Sequence, residues 1–112
     1  MKFAHDRAEL LSGSEPVLYA AAAALRAHPE LASVVIAGFG DSHGSVKRNL
    51  DLTTRRAAAV RTWFIHHSVA SSRMSAVGCG SASPIASKET EEGRAENRRV
   101  ELKAAGAGAC AR

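Results

Sequence analysis

A chain of 112 residues makes one ordinary domain, able to bury about two-thirds of the surface its unfolded form exposes. Its net charge of +4, with arginine outnumbering lysine, allows a polyanionic partner without naming one. No run is long enough to span a bilayer, MKFAHDRAEL lacks the apolar segment of a secretion signal, and the two cysteines form neither a disulfide framework nor a metal spacing. The chain is therefore expected to be cytosolic, or a domain separated from its export signal or anchor. Nearly half of its residues are apolar, but alanine supplies many of them, so the core should be thin, with Trp63 and Phe64 its bulkiest pieces.

Lys2–Ala4 reads as a short first strand and His5–Gly13 as a polar loop. Ser14 then offers an N-cap, with Glu15 and Pro16 in the first turn, where an acid and a proline are both favoured. Leu18, Ala21, Ala22 and Leu25 fall on one face at helical spacing, with Tyr19 and Arg26 toward water. Pro29 disfavours helix at His28, so this helix should stop near Ala27. Ser33–Ala37 is β-branched and nearly continuous, as in a strand covered on both sides or paired centrally. Gly38, Gly40 and Gly44 punctuate the loop that follows, and the carboxylate of Asp41 sits among them.

Thr53 is the expected N-cap of the second helix, which puts Thr54, Arg55 and Arg56 in its first turn. Arginine fits badly there, because that turn favours anions. Either the two arginines are solvated, or they hold an anion beside an acid that can hold a cation. Ala59, Val60, Trp63, Phe64 and His67 supply the apolar stripe. His66 and His67 are adjacent on this helix, so they cannot chelate one metal as an i, i+4 pair would.

Arg73–Cys79 reads as a third strand, Gly80–Glu92 as a polar loop and Gly93–Asn97 as one helical turn. Arg99, Glu101 and Lys103 alternate with Val100 and Leu102, the period of a half-buried strand. Residues 104–112, AAGAGACAR, have little to bury and are expected to be a loose tail after a domain spanning 1–103. Cys79 is then a small strand residue and Cys110 an exposed tail residue, and no bridge between them is expected. The order β-α-β-α-β-(turn)-β gives an α/β (α+β) fold, with two main helices packed on one mixed sheet.

In this order and spacing, the motifs resemble the OmpA-like C-terminal domain, found at the ends of OmpA, peptidoglycan-associated lipoproteins and MotB. The resemblance runs from Phe3 to Lys103. Gly38 through Gly44 matches G-H-T-D-x-x-G with Asp41 at the acid, and Gly44 with Asn49 matches G-x-x-x-x-N. Leu52-Thr53-x-x-Arg56-Ala57 matches L-S-x-x-R-A. Gly78-x-Gly80-x-x-x-Pro84 and Gly93-Arg94-x-x-Asn97-Arg98-Arg99-Val100 match the closing signature.

The resemblance implies a non-catalytic, periplasmic peptidoglycan anchor that needs no cofactor or metal and grips the meso-diaminopimelate of the stem peptide. The family's acid and arginine map onto Asp41 and Arg56, and position in the motifs adds Asn49, His43 and Arg98. A membrane would be reached only through a parent protein or anchor. Where the family has His-Thr before the acid, this chain has Phe39-Gly40, which removes a polar ring and a hydroxyl and adds backbone freedom beside Asp41. Either Phe39 fills the core, or the loop is looser and binding weaker. A rival reading is a protein-interaction module that keeps the fold without useful glycan affinity. Nucleic-acid binding would use Arg55, Arg56, Arg61, Arg98 and Arg99, but the stacking aromatics of single-strand binders are missing beside them. No motif fixes a nucleophile beside its base, which argues against an enzyme.

Overall fold

The computed structural model describes residues 14–41, 45–82, 84–104 and 108–110. The expected strand Lys2–Ala4 and the loop after it lie outside the described residues. Within them, helix α1 spans Glu15–Ala27 and strand β1 spans Val34–Phe39. Helix α2 spans Val46–His66, strand β2 Met74–Gly78, helix α3 Glu91–Asn97 and strand β3 Arg99–Ala104. Together they form an α+β fold, with the helices packed on a three-stranded mixed sheet. β1 is central, parallel to β2 and antiparallel to β3.

α1 ends as its sequence dictates, at Ala27 before His28-Pro29. Ser14 does not act as the expected cap, because its backbone is already helical and its side chain makes no capping bond. The other end of α1 is held from outside. Arg73 donates to the carbonyls of Leu25 at 2.8 Å and His28 at 2.9 Å, groups that a helix end leaves without intrahelical partners.

α2 starts two turns earlier than expected. Ser45 is its N-cap, in extended conformation, with its hydroxyl accepting from the Arg48 N–H at 3.1 Å. Thr53 lies inside the helix, and its hydroxyl donates back to the Asn49 carbonyl at 2.7 Å. Arg56 is therefore deep in the helix and not at its N-terminus. At its far end the helix closes at His67, which stacks on Trp63 with ring centroids 3.6 Å apart.

The main core joins α1, α2 and one face of the sheet through Leu18, Ala22, Leu25, Ile36, Val60 and Phe64, among others. α2 lies very close to the strands. A Cβ on Gly38 would run into the Thr53 carbonyl oxygen, and one on Gly78 into the Thr54 hydroxyl. Side chains alternate along β1, so Ala37 and Phe39 point to the opposite face. There they form a second, smaller cluster with Cys79, against which Val77 and Cys110 pack.

That cluster overturns the expectation of two unlinked cysteines. Cys79 and Cys110 form a disulfide, with Cα atoms 5.3 Å apart. The described end of the tail is thus tied to the exit of β2, because Cys110 finds apolar neighbours there that tail composition does not reveal.

Candidate functional site

The exits of β1 and β2 are stitched together under the middle of α2. The Cys79 N–H donates to the Gly38 carbonyl at 2.8 Å, and the Gly40 N–H donates to the Gly80 carbonyl at 2.7 Å. The Gly80 N–H in turn donates to the Thr53 hydroxyl at 3.0 Å. Gly80 has a positive φ of 61°, a conformation glycine adopts without penalty. These bonds fix the backbone immediately before Asp41.

Asp41 itself is buried, with 5% of its surface exposed. One of its oxygens, Oδ2, accepts from Arg98 Nη1 at 2.7 Å. Arg98 is the residue between α3 and β3, also buried, and its Nη2 donates to Glu91 Oε1 at 2.8 Å. Burial works against the charge on Arg98, but the bonds to Glu91 and Asp41 outweigh it and raise its pKa. Chiefly through the hydrogen bond from Arg98, the Glu91 carboxyl is held below its ordinary value.

The α3 region is built to hold Arg98 in place. Thr90 caps α3, its hydroxyl accepting from the Gly93 N–H at 3.0 Å. Asn97 is buried and clasps the preceding loop. Its Oδ1 accepts from Ile85 at 2.7 Å and Ala86 at 3.0 Å, while its Nδ2 donates to the Ala86 carbonyl at 3.1 Å.

Asn49, Thr53 and Arg56 share one buried stripe of α2, at i, i+4 and i+7. The Asn49 side-chain oxygen lies 3.9 Å from where a Cβ on Gly40 would sit, so it borders the residue before Asp41. Arg56 continues the stripe one turn further and is 1% exposed. Asn49 is a helical residue of this stripe.

Of the expected site residues, the structure joins Asp41 directly to Arg98 and sets Asn49 beside Gly40. Arg56 lies on the same buried face, and His43 lies outside the described residues. Glu91 was missed as a site neighbour because it reads as part of a polar loop. Its signal is the seven-residue step to Arg98, two turns of a helix. Among the described residues, no group of three or more His, Cys, Asp or Glu side chains could hold a metal ion, and no helix is long and apolar enough to cross a membrane.

Phe39 does not enter this site. It is fully buried on the far face of the sheet, with the Arg99 guanidinium 4.0 Å from its ring centroid and the Lys103 ammonium at 5.4 Å.

A profile of the OmpA family matches residues 2–98. The chain belongs to the OmpA family. Among curated OmpA-family relatives, the peptidoglycan-binding protein ArfA of Mycobacterium tuberculosis is 41% identical over 100 residues, 89% of this chain. The match spans 30% of ArfA, which is the longer protein. Among solved structures, the peptidoglycan-associated lipoprotein of Burkholderia pseudomallei superposes with a TM-score of 0.83 at 32% identity, covering 90% of this chain and 85% of that one. The cell wall anchor of the T6SS from Pseudomonas aeruginosa follows with a TM-score of 0.75 at 30% identity, covering 90% and 72% of the two chains.

Proposed function

We propose that this OmpA-family domain anchors a cell-envelope protein to peptidoglycan by holding the free end of meso-diaminopimelate. That end is a zwitterion, with an ammonium and a carboxylate on one carbon. Asp41 accepts from the ammonium, and Arg56 pairs the carboxylate, for which a planar guanidinium is the best-matched side chain. Asn49 and Arg98 complete the surroundings, and His43 is added by its position in the motif alone. No step of this function is catalytic, in keeping with relatives named for binding or anchoring to the cell wall. The disulfide suits an oxidising compartment such as the periplasm.

The observation that carries this reading is the burial of Asp41 at the exit of β1, beside the buried α2 stripe that carries Asn49, Thr53 and Arg56, in an OmpA-family fold. A carboxylate and a planar guanidinium on neighbouring elements suit the two charges of a zwitterion. The test is a calorimetric titration of otherwise identical muropeptides carrying diaminopimelate or lysine, at one salt concentration. Lysine keeps an ammonium but lacks the carboxylate. The diaminopimelate form should bind tighter by about 2–5 kcal/mol, roughly 30- to several-thousand-fold. Arg56→Ala should erase that preference, and Asp41→Asn should weaken both ligands, while circular dichroism shows both variants folded. Equal affinities of the wild-type protein for the two muropeptides would remove Arg56 from the role of carboxylate reader.

A further inference from the structure

We infer that Glu91 is a specificity-determining residue, which makes the Asp41 site select ligands that carry an ammonium. This rests on the reading of Asp41 as the ammonium acceptor. The geometry is a relay of three charges. Arg98 donates from one terminal nitrogen to Asp41 at 2.7 Å and from the other to Glu91 at 2.8 Å. The Asp41 end is buried, whereas the Glu91 side chain is 65% exposed. An acid at the surface therefore acts on a buried acid through a buried guanidinium.

The sharing of Arg98 shows what Glu91 changes. With Glu91, Arg98 divides its donors between two carboxylates, so Asp41 keeps more of its negative charge for an incoming ammonium. Without Glu91, Asp41 and Arg98 form a one-to-one pair, and an ammonium gains less at Asp41. The carboxylate end of the ligand does not meet Asp41 and is unaffected or helped by the loss of a negative charge.

Hydrogen bonding points the same way. Arg98 Nε is buried with no acceptor among the described residues. A second donor left without its acceptor would add to the cost of the first. Losing Glu91 would leave Asp41 as its one charged partner among the described residues, and a ligand ammonium would have to compete for that carboxylate. Glu91 also sits in the first turn of α3 and lies 3.4 Å from Arg94, so a purely structural role is the alternative to be separated.

The experiment is a competition assay with three stem peptides that differ only in the third residue. These are diaminopimelate (ammonium and carboxylate), lysine (ammonium alone) and 2-aminopimelate (carboxylate alone). Glu91→Gln should weaken the two ammonium-bearing ligands by roughly 3- to 10-fold, a size set by the exposure and screening of Glu91. The 2-aminopimelate peptide should bind as well as before or better. Glu92→Gln removes the same charge from the same turn without touching Arg98 and should leave all three unchanged. An equal loss for all three ligands in Glu91→Gln would mean that Glu91 only supports the fold, and no loss would mean that it has no part in binding. Either result overturns the inference and leaves the diaminopimelate reading standing. That reading fails separately, and this one with it, if the wild-type protein binds none of the three.

Discussion

Phe39 occupies a position where the OmpA-like motif has histidine, beside the acid of the site. The structure gives it different work. Its ring fills the far face of the sheet with Ala37 and Cys79 and lies under Arg99 and Lys103. Of the two readings that Phe39-Gly40 allows, the structure shows Phe39 as core, and the backbone freedom that Gly40 adds beside Asp41 is a separate matter. A histidine there would lose apolar burial and place a polar ring beneath two cations. Phe39→His should therefore destabilise the domain by about 2–3 kcal/mol, read as a shift in urea midpoint. An unchanged midpoint would show that the ring contributes nothing to the core. Single residues of the site were legible only in part for a similar reason. Asp41 and Arg98 each stood out as charges, but their pairing spans 57 positions and depends on how α3 delivers its last residue.

α2 shows what the sequence conveys about an element and what it hides. Its apolar stripe from Ala59 to His67 was readable because the spacing is regular and Trp63 and Phe64 are large. Its start was not. Thr53-Thr54 looks like a cap, yet a threonine hydroxyl inside a helix can return to a carbonyl one turn back. Ser45 is the stronger cap because its extended backbone frees its hydroxyl for the Arg48 N–H. The misplacement matters for function, because it moves Arg56 from an electropositive helix end to a buried helix interior. It also leaves Thr53 with a second task, accepting from the Gly80 N–H at 3.0 Å. Thr53→Val keeps the shape and removes the acceptor, leaving a buried N–H unpaired. It should cost about 1–3 kcal/mol, whereas Thr53→Ser, which keeps the hydroxyl, should cost less. Hydrogen exchange at the Gly80 amide is the direct readout. If that amide is equally protected in the valine variant, Thr53 does not hold the strand exit.

At the scale of the whole molecule, the two faces of the sheet are stabilised by different means. The face toward α1 and α2 has an aliphatic core, and its pattern was legible in α1, in β1 and in the alternation of β3. The other face has a small cluster around Phe39, closed by the Cys79–Cys110 bridge. Nothing in the alanine- and glycine-rich tail announces that closure, because spatial proximity across 31 positions depends on the fold and not on local composition. A cross-link closing a loop of that size should stabilise by about 3–4 kcal/mol in the chain-entropy account. Reduction, or Cys110→Ser, should lower the urea midpoint accordingly. Peptidoglycan affinity should respond much less. The groups assigned to the ligand are held by α2, by Gly80 and by the Arg98 relay, and none of those bonds runs through a cysteine side chain. Sacculus co-sedimentation at low temperature, where the reduced domain is still folded, should show retention within about two-fold of the oxidised form, less than one hydrogen bond's worth. A reduced domain that stays folded by circular dichroism yet no longer sediments with sacculi would show that the bridge shapes the site as well as the fold.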